Sequence, residues 1–197
     1  MTHLPTTRRA AILAMIAAAQ AAVAAQAAPA QLVSTLPGDS VYRLSPRIVD
    51  QDGRAVTLGA LRGAPLIVSM FYSSCEMICP LIFETIKQTR MALPADKRDR
   101  VNVLMISFDP ERDTVAQLKE TAAAHGCDSH WTLVRASDAD VRQIAAVLGV
   151  QYRRLPSGAF NHSSAILLLD KDGRIAARTG KLGEVDPQFV DVLARLA

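Results

Sequence analysis

Leu66-Ile67-Val68-Ser69-Met70-Phe71-Tyr72 is the stretch that most constrains what this chain can fold into. A strand with one wet face alternates apolar and polar residues. A run this nearly unbroken fits a strand covered on both faces, as in a sheet held between layers of helices. Val101-Asn102-Val103-Leu104-Met105-Ile106-Ser107-Phe108 repeats the pattern and stops at Asp109-Pro110. Between the two runs, Leu81, Ile82, Thr85, Ile86, Thr89 and Leu93 keep helical spacing as far as Pro94.

The remaining segments extend the alternation. Tyr42 to Leu58 reads as two short strands around Asp50-Gln51-Asp52-Gly53, a tight-turn signal. Thr114 and Gln117 form a capping-box pattern for a helix that runs to about His125 and stops at Gly126. Trp131 to Val134 is a third strand, with Trp131 expected in the core, and Ser137 or Asp138 opens a helix through Val141, Ile144, Val147 and Leu148. Tyr152 to Asn161 reads as a loop or hairpin excursion. Ser164 to Leu169 and Arg174 to Arg178 flank a second tight turn, and Asp186-Pro187 starts a last helix. This order is that of an α/β protein: a thioredoxin-like three-layer sandwich with a central mixed sheet and an N-terminal hairpin. Periodicity alone does not separate it from other α/β arrangements.

A chain of 197 residues is the size of one domain. Residues 1–27 are set aside as a signal peptide: Arg8 and Arg9 precede the apolar stretch Ala10 to Ala19, and Ala25-Gln26-Ala27 offers small residues for cleavage. An uncleaved anchor running on to Ala30 is the alternative. Residues 28–40 are a lead-in and 41–197 the folded domain. Without Arg8 and Arg9 the 22 basic residues fall to 20 against 19 acidic ones, a net charge of about +1. A balance this even gives no reason to expect nucleic acid as a partner. The signal implies a periplasmic or otherwise extracytoplasmic protein, anchored to the inner membrane if the segment is kept.

Cys75 and Cys79 stand where the first apolar run gives way to the helix. Positions four apart share a helix face, with Cα atoms about 6 Å apart, a span that a disulfide can bridge. Two soft sulfur ligands there could equally hold a thiophilic metal. Cys79 falls at the N-terminal end of a helix that Pro80 begins, where free N–H groups favour a thiolate, and Glu76 partly opposes that effect. His162, just before the strand that ends at Leu169, reads on its own as a surface or satisfied structural residue; paired with Cys75 and Cys79 it would complete a three-ligand site suited to copper. The third cysteine, Cys127, lies in His125-Gly126-Cys127-Asp128-Ser129-His130. It is expected to be inert, since loop donors need not converge on one point.

Three motifs in order carry a family resemblance. They are Phe71-Tyr72-Ser73-Ser74-Cys75-x-x-x-Cys79-Pro80, Ser107-Phe108-Asp109-Pro110-Glu111-Arg112-Asp113-Thr114, and His162-Ser163 with Leu169-Asp170-x-Asp172-Gly173. Together they resemble the SCO/SenC family across about Tyr42 to Leu196. The resemblance implies a thioredoxin-like, extracytoplasmic protein that binds copper, as Cu(I) or Cu(II), through Cys75, Cys79 and His162. It also implies a metallochaperone role in assembling the copper centre of cytochrome c oxidase, with the copper-bearing oxidase subunit or another copper carrier as partner. Many members carry Pro-Asp-Val between the cysteines, whereas this chain has Glu76-Met77-Ile78. Asp109 and Asp113 match the family's acidic loop and read equally well as a turn and a helix cap. The alternative function is a thiol–disulfide oxidoreductase in which Cys75 and Cys79 are the catalytic attacking and resolving thiols. A peroxiredoxin reading fails at Tyr72, where those enzymes place a threonine.

Overall fold

The computed structural model describes residues 36–197. The expected signal segment, and the lead-in up to residue 35, lie outside the described residues. The first element corrects an expectation. Val41–Arg43 is a 3-10 turn and not a strand, because Ser40 Oγ accepts the Tyr42 N–H at 3.1 Å and caps it. Strands β1 (Ile48–Asp50) and β2 (Ala55–Val56) then form the N-terminal hairpin. Asp50 Oδ1 closes its turn by accepting the N–H groups of Asp52 and Arg54, and Gly53 supplies the left-handed residue at φ 79°.

Strand β3 (Leu66–Phe71) is buried at every position, as its composition requires. Its one hydroxyl, on Ser69, donates to the Ala165 carbonyl at 2.8 Å, which satisfies the polar atom that burial would otherwise leave costly. Helix α1 (Ile78–Met91) lays Ile82, Phe83 and Ile86 on the sheet, with Phe83 edge-on to Phe71. A short helix α2 (Ala95–Arg98) and strand β4 (Asn102–Ser107) follow. Helix α3 (Val115–Ala124) begins at Thr114, whose side chain accepts the Gln117 N–H. The expected capping box is only half made, since the Thr114 N–H goes to the Arg112 carbonyl at 2.9 Å. Strand β5 (Trp131–Ala136) leads to α4 (Asp138–Leu148), capped by Ser137 and closed at Gly149 in the left-handed region. Trp131 is buried, as expected. The excursion is a hairpin, β6 (Tyr152–Arg154) with β7 (Phe160–His162). Strands β8 (Ile166–Leu169) and β9 (Ile175–Thr179) and helix α5 (Pro187–Leu196), capped by Asp186, complete the chain.

The main sheet runs β2-β1-β5-β4-β3-β8-β9, and β6-β7 forms a separate two-stranded sheet. β3, β4 and β5 are parallel, while β1 and β8 flank them antiparallel, so the sheet is mixed. His125 at the end of α3 stacks on Phe83 of α1, and the Gly183 N–H before α5 bonds Thr85 Oγ1 of α1. These ties place α1, α3 and α5 on one face, and α4 carries the chain over the other. The fold is the thioredoxin-like sandwich. The β3–β4 ladder ends on the pair Phe71↔Ser107, so the loops after both strands emerge at the same edge, where α/β sheets place their sites.

The turn between β8 and β9 is closed from outside by the start of the domain. Val41 N–H donates to the Gly173 carbonyl, Ser40 Oγ donates to that of Asp172, and the Tyr42 ring lies over Gly173. Gly173 has φ 83°, and a Cβ there would fall 2.5 Å from that ring. Gly173→Ala is therefore expected to cost about 1–3 kcal/mol, read as a lower denaturant midpoint at unchanged slope.

Candidate metal centre

The loop between β3 and α1 is built around a buried carboxylate. Asp113 is fully buried; it accepts the Ser73 N–H at 3.1 Å, the Ser73 hydroxyl, and the Ser107 hydroxyl at 2.5 Å. One side chain thus joins the end of β3, the end of β4 and the approach to α3. Asp109, also buried, pairs with Arg112 and takes the Arg112 and Asp113 N–H groups on its carbonyl. Asp109 therefore makes the expected turn. Asp113 is not the helix cap, a place taken by Thr114; it anchors the cysteine loop instead.

Helix α1 starts at Ile78, so Cys79 is its second residue and Pro80 its third. Cys75 lies before the helix, one turn away, and the two cysteines do not share a helical face. Met77 occupies the cap position without capping. Its task falls to Cys75 Sγ, which accepts the Cys79 N–H at 3.4 Å. This geometry divides the thiols. Burial pushes the Cys75 thiol up, but the N–H groups of Cys79, Met77 and Ile78 outweigh it and hold its pKa below the ordinary thiol value. Cys79 is 3% exposed. Burial drives its thiol far up, the neighbouring Cys75 and Asp113 add to the rise, and the Tyr72 backbone opposes it. The helix N-terminus favours a thiolate at Cys75, not at the residue inside the helix.

His162 ends β7 and turns back toward the cysteines. Ligand atoms of Cys75, Cys79 and His162 all lie within 4.8 Å of one another, a three-donor cluster among the described residues. The imidazole rests on aromatic rings: Phe108 at 5.0 Å between centroids and Tyr72, edge-on, at 6.1 Å. Burial lowers its pKa, with the Ser163 carbonyl opposing, so it is neutral at neutral pH and keeps a lone pair for a metal. Phe160 and Tyr152 extend the wall around Phe108. Burial raises the Tyr72 phenol, whose hydroxyl neighbours Cys75. Sequence spacing did not single out this aromatic wall, because its members come from four separate segments. An aromatic residue within or just before each motif, Tyr72, Phe108 and Phe160, is the available signal.

The other candidate donors stay apart. His125 stacks on Phe83 with centroids 4.0 Å apart, while His130 Nδ1 faces Asn102 Oδ1. Cys127 is half-buried between them, its thiol pushed up to about 11 by burial against the opposing pull of Lys87.

A mixed sheet between helix layers, with two thiols at the end of its central strand and an imidazole folded over them, defines a thioredoxin-like protein with a soft-metal donor set. The family model described as SCO1/SenC matches residues 41–196, and the chain belongs to that family. It is 28% identical over 130 residues to the SCO1 protein homolog of Bacillus subtilis, covering 64% of this chain and 67% of that one. It is 31% identical over 134 residues to the mitochondrial SCO2 homolog of Bos taurus, covering 64% of this chain but 49% of that protein, so it spans about half of that relative's length. Among solved structures, Bradyrhizobium japonicum ScoI with copper bound superposes with a TM-score of 0.66 at 28% identity, covering 77% of this chain and 97% of that one.

The split between the thiols predicts an order of reaction. On limited alkylation of the reduced protein at neutral pH, Cys75 is modified before Cys127 and Cys79, by mass spectrometry of the digested chain. Equal labelling of Cys75 and Cys79 would contradict the capping role of the Cys75 sulfur.

Proposed function

We propose that this chain is an extracytoplasmic copper carrier that binds copper through Cys75, Cys79 and His162 and delivers it for assembly of the cytochrome c oxidase copper centre. The convergence of these three donors within 4.8 Å carries the proposal. Family membership and the copper-bound ScoI relative support it. Copper is cargo here, and the donor set suits both binding and release. Thiolates favour Cu(I) and imidazole accepts Cu(II), so one site can serve either state. Cys79 is fixed in the core-facing turn of α1, Cys75 is at the mouth, and His162 approaches from a separate hairpin. The recipient would be the copper-bearing oxidase subunit or another carrier. Among the described residues no helix is long and apolar enough to cross a membrane. Any anchor would have to come from the N-terminal segment, whose reading as a signal remains part of the proposal.

The second reading, a thiol–disulfide oxidoreductase, draws on the same thiol asymmetry. The half-exposed Cys75 with its lowered pKa is suited to attack, and buried Cys79 to resolve the mixed disulfide. The two readings part at His162, which exchange does not need.

His162→Ala is expected to weaken copper binding by more than the roughly 10–100-fold that loss of an outer-sphere partner costs, and to leave the far-UV spectrum unchanged. Chelator competition on the reduced protein measures it, and unchanged affinity would refute the ligand assignment. Disulfide reduction that survives in the same variant would favour the oxidoreductase reading. The pH dependence has a definite sign. Cys79 is protonated at neutral pH, so copper must displace its proton, whereas neutral His162 has none to lose. Affinity should therefore rise with pH, by about tenfold per unit for each proton displaced.

A further inference from the structure

Met77 breaks two local rules at the mouth of the site. It is the N-cap of α1 and makes no cap hydrogen bond, at a position that favours Ser, Thr, Asp or Asn. It is also 76% exposed, more than any other large hydrophobic residue among those described. Its side chain contributes neither capping nor burial, and departures of this kind concentrate where a sequence serves function.

Its placement shows what it can do. Met77 stands between the two cysteines, inside the turn that the Cys79 N–H closes on the Cys75 sulfur at 3.4 Å, so its Cα belongs to the loop that carries the first thiol. An unbranched side chain with three rotatable bonds can swing its thioether across the opening. Cys79 is buried, and Cys75 and His162 are half-buried. The thioether is thus the outermost soft donor of the group. It is uncharged, binds weakly and prefers Cu(I) to harder ions.

We propose that Met77 is an entry ligand, taking Cu(I) from the incoming donor before the metal reaches Cys75, Cys79 and His162; this rests on the copper-carrier reading above. The step is a ligand exchange with copper remaining Cu(I) and no electron transferred. A bond from Met77 Sδ to copper forms as one from the donor breaks. Cys75 and Cys79 then bond the metal as thiolates, any thiol proton leaving to solvent, and the thioether bond is released.

Met77→Leu tests this, since leucine keeps the apolar bulk and removes only the sulfur. Reduced wild-type and variant proteins are mixed with Cu(I) held by a weak chelator, and capture is followed by stopped flow. Affinity at equilibrium is measured separately against a strong chromogenic chelator. The expected result is capture slowed about tenfold in the variant, equivalent to about 1.4 kcal/mol of barrier, with affinity unchanged. With methyl-labelled methionine, the Met77 signal should move at the first substoichiometric additions of Ag(I), a redox-inert stand-in for Cu(I). Equal capture rates, or a Met77 methyl that does not move, overturn the entry role while leaving the carrier reading intact. Rate and affinity falling together would make Met77 a resident ligand and also overturn it. A wild-type protein that binds no Cu(I) would overturn both proposals.

Discussion

The carboxylate of Asp113 sits in the interior at the one edge where the parallel strands end together. It accepts hydrogen bonds from Ser73 after β3 and Ser107 at the end of β4. A buried charge is tolerated only when it is fully hydrogen-bonded, so these donors and the carboxylate hold one another in place. Ser73 is two residues from Cys75, and the loop between them leaves little slack. The position of the first thiol is thereby set by a network whose other end lies in a different loop. The parallel register makes this possible, since Phe71 opposite Ser107 brings both loops to one place.

The second dependence runs from helix geometry to chemistry. Two cysteines of the same type, four residues apart, acquire opposite tendencies because one lies outside the helix and the other inside it. Cys75 receives N–H groups that the first turn of α1 cannot use internally. Cys79 is carried beneath the surface by that same turn. The site thus combines a thiol of lowered pKa and a sheltered one with a neutral imidazole, and among the described residues no charged side chain hydrogen-bonds to them.

Much of this was legible in the sequence, for identifiable reasons. Leu66 to Tyr72 could only be an interior strand, and the Pro80 and Thr114 signals located the helices to within a few residues. The convergence of His162 on the cysteines was not legible from spacing. It depends on how far the β6–β7 hairpin folds over Tyr72 and Phe108, which is a matter of ring packing between distant segments; donor chemistry and the resemblance pointed to the pairing, and spacing did not. Tyr42 misled because its apolar character suits a strand, whereas Ser40 capping and the contact with Gly173 hold it in a turn. The Asp113 network was half visible: an aspartate after Asp109-Pro110 suggested a cap, and nothing local showed that its partner would be Ser73. Which cysteine would carry the lowered pKa depended on the exact start of α1, a boundary that sequence patterns place only approximately.

The hairpin that bears His162 shares no ladder with the main sheet. Rings hold it: Phe160 against Tyr72 and Phe108, and Tyr152 against Phe108. Two guanidinium groups tie it down over the Phe160 ring, Arg112 from outside on the Gly158 carbonyl and the hairpin's own Arg154 on Glu111. Ring contacts favour edge-on or offset arrangements but impose no residue-by-residue register, whereas a strand ladder permits only discrete registers. The protein therefore holds its two sulfurs and its imidazole by different kinds of contact. Its two sulfurs are fixed by the end of a ladder and the start of a helix and its imidazole by packed rings, so a substitution that repacks those rings would displace one corner of the donor triangle and leave the other two in place.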